Sequence, residues 1–207
     1  MKKELFATAF AAALLTASCA WGQDQPGNQP PPPNSQSNAW GATKDTVGHG
    51  IGMVSAELPA STPRFVRSAA MSDMYEIASA KIALQRSQSG DVRNFAREMI
   101  HDHATSTEKL KETLARANMG IALPRNFDDR HQSLIDDLRA ARDADFDRRY
   151  IDQQTAAHRE ARTLLSGYAH KGDNPPLRHF AHGVLPVVQM HLAMARRIEN
   201  RISVASR

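Results

Sequence analysis

A chain of 207 residues, 23% charged and 41% hydrophobic, has room for one globular domain plus appendages. Its formal charge of +4 is scattered rather than gathered into blocks, which argues against a nucleic-acid partner. The single cysteine excludes an internal disulfide and a thiolate metal cluster.

Residues 1–20 read as an export signal. Lys2 and Lys3 form a basic start, and Leu5 to Ala17 is an apolar run too short to span a bilayer as a mature helix. Two cleavage readings stand. Leu15-Thr16-Ala17-Ser18-Cys19 resembles a lipobox, which would make Cys19 a lipidated N-terminus. Alternatively, small residues at Ser18 and Ala20, or Ala20 and Gly22, suit ordinary signal peptidase. Both place the mature chain outside the cytoplasm, in the periplasm or against the outer membrane. Residues 21–62 are expected to be a linker followed by a loosely ordered stretch. The run QDQPGNQPPPPNSQSN at 23–38 has no apolar anchor and cannot offset its ordering entropy.

From Pro63 the apolar residues recur at helical spacing, with no alternating strand runs. The pattern predicts long helices near 63–88, 91–118, 143–170 and 174–204. A short helix near 128–141 precedes the third long one. Breaks fall at Ser89-Gly90, Met119-Gly120 and Lys171-Gly172, and Asn174 is placed to cap the last helix ahead of Pro175 and Pro176. Short connections make neighbouring helices antiparallel, so residues 63–205 should form an all-α four-helix bundle.

Successive helical residues turn by about 100°, which assigns each polar side chain to a face. In the second helix His103 joins the stripe of Val92, Phe95, Met99 and Leu110, with Asp102 at its edge. Glu98 and His101 share the E-x-x-H spacing of di-iron bundles but point to the polar face. In the third, Asp147 and Gln154 fall within the stripe of Phe146, Tyr150, Leu164 and Tyr168, and His158 flanks it. In the fourth, His191 sits at the centre of a stripe running from Leu177 to Ile202. The first helix leaves two faces open. Glu76 lies with Phe65, Ala69, Ser72, Ala80 and Ala83, and Met71, Met74, Tyr75 and Ala78 lie opposite.

Four helices therefore each offer one ligand-type group: Glu76, His103, His158 and His191. An unpaired polar group in an apolar interior costs roughly 1–3 kcal/mol, so such groups are expected to satisfy one another or to share an ion. Imidazole and carboxylate donors suit one iron, manganese, zinc or copper ion. The competing reading gives each histidine a hydrogen bond within a polar network that includes Asp102, Asp147, Tyr150 and Gln154. No Ser-His-Asp arrangement, phosphate loop or H-E-x-x-H motif is present, so no reaction is legible.

Four segments in order resemble a bacterial family, domain of unknown function 4142. They are Phe65 to Ala83 around Glu76-Ile77, Met99-Ile100-His101-Asp102-His103, Phe146-Asp147-x-x-Tyr150 followed by His158, and Leu185-Pro186 with His191. The resemblance covers about 63–198. It implies a ferritin-like bundle and an exported location, with no established activity. Carried over by position, the family's motif residues are Glu76, Asp102, His103, Phe146, Asp147, Tyr150, His158, Pro186 and His191. Two inward E-x-x-H pairs are missing, so the resemblance does not extend to di-iron chemistry. Pro186 should kink the last helix.

Overall fold

Five α-helices carry the chain from residue 61 to residue 205, the range that the computed structural model describes. They are α1 (Thr62–Arg86), α2 (Gly90–Arg116), α3 (Asp129–Ala140), α4 (Asp143–Lys171) and α5 (Pro175–Ala205). No strand occurs among the described residues. The expected signal peptide, Cys19 and the Pro/Gln-rich linker lie outside them. No helix among them is long and apolar enough to cross a membrane.

The helix ends fall close to their expected places because the signals that set them are local. The Ser89 hydroxyl accepts from the Val92 amide, Asp128 from His131, and Asn174 from Leu177, each capping a first turn. One stop works differently from the sequence reading. Asn118, not Gly120, ends α2 by taking a left-handed conformation with φ of 50°. The Asn118 amide then reaches Ala115 O and the Met119 amide reaches Leu114 O, so two terminal carbonyls are satisfied. The helix α5 continues through Pro186. The proline removes one amide from the ladder there, beside the exposed His182.

The four long helices close into a ring in which α1 and α5 each pack against both α2 and α4. Contacts pair rising numbers on one helix with falling numbers on the next. Thr62 meets Tyr168 and Tyr75 meets Gln153, while Asp91 meets Arg201 and Asp102 meets His191. All ring neighbours are thus antiparallel, and α2 runs parallel to α4 across the diagonal. Residues 117–142 must therefore return along the length of the bundle, giving the single long crossover of ferritin-like folds.

Within that crossover α3 packs on α1 and α4. It settles the question of the two faces of α1. Phe65, Ala69, Glu76, Ala80 and Ala83 turn into the ring. Tyr75, from the opposite face, is also buried, because its ring lies 5.5 Å from that of His131 on α3. Both faces are covered, by different neighbours.

The interior divides along the bundle axis. One apolar cluster holds Val92, Phe95, Met99, Phe146, Ile151 and Ile198, and the other Phe65, Leu110, Leu165, Tyr168, Leu177 and Val188. Between them lies a layer of buried Asp73, Glu76, His103, His158 and His191.

Arg86 ties the crossover to the end of α1. Its guanidinium donates to Leu138 O at 2.7 Å, Arg139 O at 3.0 Å and Ala141 O at 2.6 Å, and it sits 4.7 Å over the Phe146 ring. These carbonyls end α3, where a cation also complements the helix dipole. Replacing Arg86 by Met keeps most of the stem and strips the donors. It should lower the unfolding free energy by about 2 kcal/mol in a urea titration, with Lys restoring little because it lacks the planar fork.

Candidate metal centre

His103, His158 and His191 meet at the middle of the bundle because each occupies a core position on its own helix. His103 follows Met99 by one turn, and His191 lies between Val188 and Ala195 on one stripe. His158 follows Gln154 by one turn. All three are buried, with 5%, 1% and 0% of their surfaces exposed. Their ring centroids form a nearly equilateral triangle with sides of 5.6, 5.5 and 5.4 Å. One ring nitrogen from each lies within 4.8 Å of one from each of the others.

Every ring has one nitrogen engaged and one not. His158 Nδ1 donates to the main-chain oxygen of Gln154 at 2.9 Å. His103 Nδ1 donates to Asp73 Oδ1 at 2.8 Å, and His191 Nε2 donates to Asp102 Oδ2 at 2.9 Å. These acceptors place the ring proton on the outer nitrogen in each case. The remaining nitrogens, His103 Nε2, His158 Nε2 and His191 Nδ1, are buried and have no hydrogen-bond partner. Thr107 donates to the second oxygen of Asp73 at 3.1 Å and holds that carboxylate in place.

Glu76 joins from α1. Its Oε1 lies 3.6 Å from His158 Nδ1, and its Oε2 is buried without a partner. It stands beside the three histidines rather than within the group of nitrogens that lie within 4.8 Å. The Tyr150 hydroxyl and Asp147 Oδ1 are likewise buried and unpartnered. Gln154 donates to the Ser79 hydroxyl at 3.2 Å. Phe95 closes the apolar side, with its ring 6.4 Å from His158 and 6.5 Å from His191.

Burial dominates the electrostatics. It pushes the Glu76 carboxyl up to about 7, against the opposing pull of His103. It drives His158 down to about 3, helped by the neighbouring His103. His191 is lowered by burial despite its bond to Asp102. Burial also opposes the charge on His103, but the bond to Asp73 and the nearby Glu76 outweigh it, so its pKa is raised. Burial, reinforced by Glu76, keeps the Tyr150 phenol protonated far above its usual range.

Most of the residues singled out in the sequence gather at this layer, and the E-x-x-H pair of Glu98 and His101 stays on the exposed surface. Asp73 and Thr107 escaped the sequence reading. A signal for Asp73 was present: it lies one turn from both Ala69 and Glu76, on the edge of the inner face of α1.

Glu76 gives a pH signature in metal-free protein. The folded chain holds the Glu76 proton up to about 7, against an ordinary value of 4.5. Its contribution to stability is complete below the ordinary value and is lost as pH rises through the folded one. His158 acts in the opposite sense, losing stability as pH falls from 6.5 towards about 3, but it is common to wild type and variant. The melting temperature of Glu76→Gln should therefore gain on that of wild type between roughly pH 4.5 and 7 and level off above that. A pH-independent difference would show that Glu76 does not titrate there.

Comparison with known structures gives one match. A crystal structure of a DUF305 fragment from Deinococcus radiodurans aligns with a TM-score of 0.59 at 15% identity, covering 70% of this chain and 99% of that one. At that identity the likeness concerns the fold alone. No curated protein matches. The family model described as "Domain of unknown function (DUF4142)" matches residues 53–198, most of the chain, and the protein belongs to that family.

Proposed function

We propose that this protein binds one transition-metal ion at the histidine layer and serves metal handling in the cell envelope. The observation that carries the reading is the set of three unpartnered nitrogens, His103 Nε2, His158 Nε2 and His191 Nδ1, on rings whose opposite nitrogens are all held by acceptors. Leaving three buried ring nitrogens unpaired costs several kcal/mol in total at roughly 1–3 kcal/mol each, and a cation shared by neutral rings removes that cost. Outer hydrogen bonds of this kind are what orient metal-ligating imidazoles. Three imidazoles and no thiolate rank copper and zinc above manganese, with iron between. Glu76 and Tyr150 flank the layer and would complete the coordination or hold a proton beside it. An ion bound there would supply Lewis acidity or electron exchange. The residues themselves fix geometry and, through Phe95 and the two apolar clusters, exclude bulk water.

A competing reading treats the same groups as a structural polar network that fixes helix register. The His103–Asp73 bond, which favours the charged ring, supports it.

Metal analysis of protein purified from its native compartment should find about one ion per chain. Added copper or zinc should raise the melting temperature of chelator-treated protein. Replacing His191 by Ala should abolish that shift, and Asp73→Asn or Asp102→Asn should weaken affinity roughly 10–100-fold. Stability that ignores every added metal, together with a His191→Leu variant at least as stable as wild type, would favour the network instead.

The envelope location rests on Lys2, Lys3, the apolar run to Ala17 and the lipobox-like segment at Cys19. Fractionating cells that express wild type or Cys19→Ser tests it. Release of the variant from the membrane fraction assigns the lipid anchor, and wild type in the cytosol would overturn export.

A further inference from the structure

A second feature lies away from the histidine layer, between the C-terminal half of α2 and the N-terminal half of α5. There the bundle opens into a cleft of about 610 Å3, lined in part by Lys109, Thr113, Arg116, His179, Phe180 and Gly183. That volume is within the roughly 300–1,000 Å3 range of small-molecule sites.

The lining has one sign of charge. Among the described residues it contains Lys109 and Arg116 and no acidic side chain. Glu112 pairs with Arg116 at 2.8 Å and Glu108 with Lys111 at 2.8 Å, which leaves Lys109 without an ion-pair partner among the described residues. The floor is apolar, made by Phe180 and Val184. Gly183 borders open space, since a Cβ built there would meet no atom within 4 Å. Glycine within a helix costs roughly 0.5–1 kcal/mol relative to alanine, and packing does not require it at this position.

The floor has another side. Phe180 and Val184 also line a void of about 20 Å3 that reaches His103, Asp73 and Ser106, enough for about one water. One layer of side chains therefore separates the cleft from the chamber beside the histidines.

We propose that this cleft binds a small organic anion, a carboxylate or sulfonate head on an apolar body. The head lies at Lys109, the cation without an ion-pair partner among the described residues, and the body lies on Phe180 and Val184. Binding there does not depend on the metal reading, but it would set such a ligand beside that centre.

The test uses two fluorescent probes that share one apolar body, 1-anilinonaphthalene-8-sulfonate and the uncharged N-phenyl-1-naphthylamine, on chelator-treated full-length protein. The sulfonate should bind once per chain and about 10-fold or more tighter than the neutral probe, with the preference shrinking as salt is added. Lys109→Glu should remove that preference without moving the melting temperature. Gly183→Trp should block both probes by filling the cleft. Equal affinity for the two probes, or a sulfonate affinity unchanged in Lys109→Glu, would overturn the proposal. Because no metal is present in the titration, its failure is separate from failure of the metal reading.

Discussion

The organisation of this bundle depends on how three imidazoles are held at mid-height. Each hydrogen bond on an outer nitrogen does more than choose a tautomer. The His103–Asp73 bond joins α2 to α1, and the His191–Asp102 bond joins α5 to α2. Glu76 faces His158 across α1 and α4. A slip of one turn in any of these pairs would strand a buried carboxylate or imidazole, at a cost greater than that of a repacked leucine. The layer therefore penalises a slip in any of the four helices, and the apolar clusters pack on either side of it.

That arrangement also explains the electrostatics. A carboxylic acid and three imidazoles in one dry layer cannot all carry charge. Asp73 favours charge on His103, and charge there would disfavour charge on His158 and His191. Glu76 is left holding its proton up to about 7 because burial outweighs the attraction of His103. The inner nitrogens of His158 and His191 thus face inward as lone pairs, the state a cation requires of a ligand. The same low-dielectric enclosure makes their lack of partners costly.

The bundle's two ends differ in openness. Near Phe146 the crossover helix α3 and the Arg86 guanidinium close the structure against solvent. Towards the other end, no helix among the described residues covers the α2–α5 face, and the cleft above Phe180 and Val184 lies there. The long crossover gives the fold its ferritin-like connection and places α3 on α1 and α4 rather than over the α2–α5 face.

Much of this was written locally. Serine, aspartate and asparagine caps, prolines in first turns and a 100° stagger of apolar residues act within one or two turns, so the sequence alone determined the helices, their order and the inward placement of His103, His158 and His191. Pairings between distant residues were not legible. Asp73 reaches His103 across 30 positions and Asp102 reaches His191 across 89, and no local pattern encodes either bond. The same limit left the two faces of α1 undecided, since both carry small or apolar residues and only the docking of α3 over Tyr75 separates their roles. Helical periodicity says which way a side chain points. Which partner it meets depends on the register between helices, and that is decided by contacts between residues far apart in the chain.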